Sequence, residues 1–164
     1  MMEFSKIVKI PEERVSKLLE IRDLIEEKLD VSVKLSGNEV TVSGSSIELL
    51  KAHNLVMAVG RGFSTDKALY LLQDDFSLDV IEIGEFAKTQ KAFIRLKGRV
   101  IGDDGRAKRF IEKNTNCLIR VYGKTVSIIG KSEDLINARR AVIMLLEGAK
   151  HGTAYRFLDE KTVE

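Results

Sequence analysis

Shifted by 86 positions, the sequence aligns with itself: residues 25–62 match 111–148 over 38 positions without a gap and with ten identities. The identical pairs include Ile25/Ile111, Glu26/Glu112, Gly37/Gly123, Val40/Val126, Gly44/Gly130, Leu49/Leu135, Ala52/Ala138, Val56/Val142 and Gly62/Gly148. Upstream the register holds only if Gly102-Asp103-Asp104-Gly105 is skipped, which pairs Leu18, Leu19 and Glu20 with Val100, Ile101 and Arg106. One ancestral unit was therefore duplicated, and only its second copy carries a glycine-bracketed loop between two helical segments. Glycine has no side chain, so such a loop lets its backbone come close to another group.

A repeat of this length divides the 164 residues into two domains of roughly 80 residues, each near the low end of independent stability. The expected division is 1–75 and 76–164, with the two packed together. The net charge of +2 conceals an asymmetry. Residues 1–85 carry 10 Lys/Arg against 16 Asp/Glu, and residues 86–164 carry 17 against 9. Within 86–122 the count is 10 basic to 3 acidic, a polyanion-facing composition, whereas the first half repels phosphate. No apolar run reaches the roughly 20 residues of a membrane span, and the start does not read as a signal peptide. The single cysteine, Cys117, with only His53 and His151 beside it, makes neither an intrachain disulfide nor a metal cluster. The expectation is a cytoplasmic protein without metal or cofactor. No nucleophile–base arrangement or phosphate-binding Walker pattern is present, so no enzymatic activity is expected.

Each copy reads strand, helix, helix, strand, strand, helix, an α+β pattern with a three-stranded sheet. In the first, 5–10 alternates as a strand, Pro11 opens a helical stretch to Asp30, and 31–35 and 39–43 flank Ser36-Gly37-Asn38 as a hairpin. A helix over 47–59 follows, with Ser45 or Ser46 as its cap, and then a short one over 64–72. In the second copy a strand over 78–83 precedes a helix near 89–97. Arg106 to Thr115 is the next helix, and 117–122 and 125–129 flank Gly123-Lys124. Ser132 caps a last helix that ends at Gly148.

This order, with Gly-x-x-Gly between the first two helices, resembles the eukaryotic-type (type I) KH domain, which binds RNA or single-stranded DNA. The match is Gly98-Arg-Val-Ile-Gly-Asp-Asp-Gly-Arg-Ala-Lys-Arg-Phe-Ile-Glu112. The first copy resembles a degenerate KH domain lacking the loop. Segments 58–68, 121–130 and 148–158 are similar to the archaeal two-KH ribosome-assembly family, homologous to the eukaryotic partner of the Nob-one endonuclease. That resemblance implies binding to the 3′ region of small-subunit ribosomal RNA during pre-rRNA maturation. It also implies the Nob-one endonuclease and the alpha subunit of initiation factor two as partners.

A KH loop grips about four unpaired nucleotides. In this chain the resemblance assigns that role to Gly102, Asp103, Asp104 and Gly105. Arg106, Lys108 and Arg109 supply charge on one side, Lys97, Gly98 and Arg99 on the other. Val100, Ile101, Ile111, Leu118, Ile119 and Val121, with Arg120, are candidates for the groove that receives bases, although only one parity of 118–121 can line it. The two middle aspartates depart from the family pattern. Each repels a phosphate about 4 Å away by on the order of 1 kcal/mol in water, unless they cap the Arg106 helix or accept hydrogen bonds from base or ribose. The competing reading is a protein-interaction adaptor on KH scaffolds that binds no RNA through this loop. Cys117 reads as a small buried hydrophobe, and Asp74, Asp75 and Asp79 as carboxylates without a metal.

Overall fold

The structure, a computed structural model, describes residues 3–162 and divides between Phe76 and Ser77 into two compact units. In the first unit β1 (Phe4–Lys9) is followed by α1 (Val15–Leu29), β2 (Ser32–Ser36), β3 (Glu39–Gly44), α2 (Ser46–Gly60) and the short α3 (Thr65–Ala68). β3 lies between β1 and β2, antiparallel to both, with Val40 opposite Val8 and Leu35. Its alternation of buried Val40, Val42 and Gly44 with half-exposed neighbours is the period-two pattern of a sheet covered on one face.

Two helices were expected between β1 and the hairpin, and the first unit has one. Glu12–Arg14 is a 3-10 turn, after which α1 runs unbroken for 15 residues. Leu18, Ile21, Ile25 and Leu29 recur every three or four residues and stay on one buried face, so nothing interrupts the helical ladder.

The chain enters the second unit along β4 (Phe76–Glu82), and the unit continues with α4 (Gln90–Ile101), α5 (Arg106–Thr115), β5 (Leu118–Tyr122), β6 (Thr125–Lys131), α6 (Ser132–Leu146) and α7 (His151–Thr162). Its three-stranded sheet has the order β4-β6-β5. Ile81, Leu96, Val100, Ile111, Ile119, Val126, Val142 and Leu158 belong to one buried cluster. α4 continues past the expected end at Lys97 to the loop itself, and beyond Gly148, the expected end of the last helix, the chain forms one more helix that buries Ala154 and Leu158. The expected serine caps are not made: Ser45 stands at the N-cap of α2 without a side-chain bond, and Lys131, not Ser132, stands at that of α6.

The repeat is legible in atoms. The N–H of Val33 donates to Glu26 Oε2 at 2.9 Å, and that of Ile119 donates to Glu112 Oε2 at 2.9 Å, so the shared glutamate ties the helix to the following edge strand in both units. A methyl on Gly44 would lie 2.8 Å from Val31 Cγ1, and one on Gly130 would collide with Cys117 Sγ, which explains why both positions are glycine. Asp30 and Asn116 end their helices with φ of 51° and 56°, a left-handed conformation that Asp and Asn tolerate. The Asp74 and Asp79 carboxylates are committed to ion pairs, with Lys51 and Arg139 respectively.

Candidate nucleic-acid interface

Thr89 starts α4 by accepting the N–H of Ala92 on its Oγ1 at 3.1 Å. From there α4 presents three faces. Leu96 and Val100 point into the core. Ile94, 62% exposed, aligns with Gly98 and half-buried Ile101 as an apolar strip running to the loop. Arg95, Arg99 and Gly102 follow on the adjacent face, turned by about 100° around the axis.

The loop is held by its glycines. Gly102 has φ 76°, and a methyl there would sit 2.6 Å from the Ala107 nitrogen and 2.7 Å from its Cβ, so α5 can begin against the end of α4 only if this side chain is missing. Gly105 has φ 75°, and Asp104 between them has φ 54°. The close approach allowed at Gly102 is thus used by the protein itself. Of the three glycines in 98–105, the one with open space around it is the exposed Gly98, on the apolar strip. Gly105 is the N-cap of α5 and no side chain bonds there, so of the two roles open to the aspartates, capping this helix is excluded. The carboxylates point outward because Gly105, not an aspartate, occupies the capping position; Asp103 and Asp104 are exposed.

The structure separates the residues that sequence grouped at this site. Arg106 and Arg109 are exposed, and Lys97 lies 5.8 Å over the ring of Phe93. Arg120 is exposed and lies 5.9 Å from the Tyr122 ring. Ile101, Leu118 and Val121 are half-buried, Val121 packed against the core. Four assignments need correction. Val100 is 0% and Ile119 2% exposed, both turned into the core by the periodicity of their elements, and Ile111 is likewise buried. Arg99 is occupied: its Nε donates to Leu145 O at 3.0 Å and its Nη2 to Ala149 O. In the first unit Arg14 donates to Val59 O and Phe63 O, each 86 positions earlier, so Arg99 is a staple for the end of α6. Lys108 is partly spoken for by Glu112 at 3.3 Å.

What sequence reasoning missed is Arg95 on the second face of α4 and Tyr155 on α7. Arg95, Arg99, Gly102, Asp103, Arg106 and His151 border an open cleft of about 520 Å³, closed on one side by Tyr155. Tyr155 stacks on Phe110, with centroids 4.0 Å apart. The signal for this wall was the helical spacing of His151, Tyr155 and Leu158. Elsewhere in the unit burial pushes the Cys117 thiol up to about 11. Among the described residues no group of three His, Cys, Asp or Glu is placed to hold a metal, and no helix is long and apolar enough to cross a membrane.

A sheet packed against helices, with a Gly-x-x-Gly turn between the first two of them, defines the second unit as a type I KH domain. Residues 77–163 match the eukaryotic-type KH-domain (KH-domain type I) family, in its PNO1 second-domain form. The chain is 39% identical over 166 residues to a KH domain-containing protein of Methanocaldococcus jannaschii, covering 95% of this chain and 73% of that protein. It is also similar to a chain in the crystal structure of the a/eIF2alpha–aDim2p–rRNA complex of Pyrococcus horikoshii, with TM-score 0.90, 30% identity, and 99% and 96% of the two chains covered. The structure of Dim2p from the same organism gives TM-score 0.87 at 31% identity, covering 96% and 99%. The chain belongs to the PNO1-like eukaryotic-type KH family, together with these archaeal Dim2p proteins.

Proposed function

We propose that this protein is an RNA-binding ribosome-assembly factor that engages the 3′ region of small-subunit ribosomal RNA through its second unit. The observation that carries this reading is the surface around the loop: exposed Arg106 and Arg109 on one side, and on the other an apolar strip of Ile94, Gly98 and Ile101. A single strand laid across it has phosphates at the arginines and the uncapped start of α5, while bases lie on the strip and against Val121. The first unit, a degenerate KH domain with an uninterrupted helix and an acidic surface, is assigned to protein contacts. The alpha subunit of initiation factor two and the Nob-one endonuclease are the partners proposed. The a/eIF2alpha–aDim2p–rRNA complex of a similar protein supports both the RNA and the first of these.

The exposed carboxylates of Asp103 and Asp104 favour a second reading, an adaptor whose basic face docks on an acidic protein. Titration of the whole chain with the 3′ end of small-subunit rRNA, at two salt concentrations, separates the two. RNA binding through phosphates weakens linearly in log salt, by a slope of about 0.7 per phosphate contact for single strands. Charge reversal of Arg106 and Arg109 removes most of the affinity, whereas reversal of Lys17 and Arg22 in the first unit does little. Equal losses from both pairs defeat the assignment to the second unit, and no RNA binding by the intact protein defeats the function.

A further inference from the structure

The cleft between α4, the loop and α7 is separate from the apolar strip, and the two meet at Gly98 on neighbouring faces of one helix. Three arginines border it against the single carboxylate of Asp103. Arg99 is held by two carbonyls, but among the described residues Arg95 and Arg106 make no ion pair, and both are exposed. His151 Nε2 is 2.8 Å from Arg99 O; since a carbonyl only accepts, the nitrogen carries the proton. That bond leaves Nδ1 as the second ring nitrogen, an acceptor whenever the ring is neutral. Tyr155, fixed by its stack on Phe110, closes the wall. The cleft thus combines positive charge for a phosphate with an acceptor and an aromatic edge for the attached nucleoside.

Resting on the RNA-binding reading above, we propose that this cleft is a second nucleotide subsite. It takes the phosphate and nucleoside of the RNA residue that leaves the loop, after the four held by the apolar groove. Arg95 and Arg106 hold the phosphate, and His151 and Tyr155 face the sugar or base. A strand that turns over the Gly-x-x-Gly crest passes from one face of α4 to the other, so the two sites are filled in succession by one chain.

The test is a length series of single-stranded RNAs from the 3′ end of small-subunit rRNA, four to eight nucleotides long, titrated by fluorescence anisotropy. Wild-type protein is expected to gain about tenfold or more in affinity on extension beyond four nucleotides, the scale of one charge-assisted contact. Arg95→Gln is expected to remove that gain and to flatten the salt dependence of the longer RNAs by about 0.7 in log–log slope, with far less effect on the four-nucleotide RNA. Tyr155→Phe, which keeps the stack on Phe110, reports any hydrogen bond from the phenol. If affinity does not rise beyond four nucleotides, or if Arg95→Gln weakens short and long RNAs equally, the subsite is refuted while the groove reading stands. If the wild type binds none of the series, both fall. Failure of the length series together with binding of an acidic peptide blocked by Arg95→Gln assigns the cleft to a protein partner instead.

Discussion

The two units share a frame and differ in what interrupts it. Both tie a helix to the next strand through a glutamate, both need a glycine where the middle strand passes the residue after that helix, and both staple the end of their long helix with an arginine. The first unit runs one helix where the second breaks into α4 and α5 around four residues, and it lacks the basic surface that accompanies the break. The identities of the repeat are therefore mostly a record of folding, whereas the residues proposed to bind RNA lie where the copies diverge. This separates stability from binding, and each can be perturbed without the other.

The largest expected effect comes from making the second unit like the first. Deleting 102–105 joins Ile101 to Arg106 as Leu19 joins Glu20. RNA affinity should fall at least about 100-fold, since two or more charge-assisted contacts are lost, while circular dichroism reports a retained fold. Undiminished binding after the deletion breaks the comparison. The shared glycines come next. Gly130→Ala should cost about 1–3 kcal/mol in denaturant unfolding, as overpacking does, and Cys117→Ala in the same chain should restore part of it by vacating the colliding sulfur. Gly44→Ala should behave similarly in the first unit, and a neutral result at either position shows that one frame tolerates what the other does not.

A smaller effect lies in the loop. Asp104 needs a left-handed backbone, so the informative change is Asp103→Lys with Asp104→Asn, which removes both charges without straining the turn. Binding to any single-stranded RNA should tighten by about tenfold at low salt, and discrimination between the cognate end and scrambled RNA should drop. Unchanged affinity and selectivity place RNA away from the loop and favour the adaptor. The smallest effect concerns His53, whose repeat counterpart Arg139 pairs with Asp79. Burial, aided by Lys6 and opposed by the Asn54 side chain, holds His53 below its ordinary 6.5, and its Nδ1 is buried without a partner. The unfolded chain therefore takes up a proton first on acidification. The contribution is intact above pH 6.5 and declines as pH falls through the folded value. The melting temperature of His53→Gln should drop less than that of wild type between pH 7.5 and 5.5.

Much of this was legible in the chain. The 86-residue repeat and the hairpin signals at Gly37 and Gly123 announced the shared frame, and α5 begins at Arg106 and ends at Thr115 as its periodicity indicates. The charge asymmetry and the glycine-bracketed loop marked the second unit as the place to look for a polyanion. These are local properties, set by side-chain spacing and by the few conformations a glycine turn allows.

What the sequence left open was decided by neighbours distant along the chain. Arg99 reads as an RNA contact until the carbonyls of Leu145 and Ala149 come within reach of its guanidinium. Gly102, the one local case, reads as a door for phosphate until the turn into α5 sets Ala107, five positions on, in the space beside it. Val100 and Ile119 read as groove until the packing of α4 and β5 turns them inward, and Arg95 acquires a site only when α7 brings His151 and Tyr155 alongside it. Periodicity says which residues share a face. Which face is covered, and by what, depends on contacts between residues some fifty positions apart, and those exist only once the chain has folded.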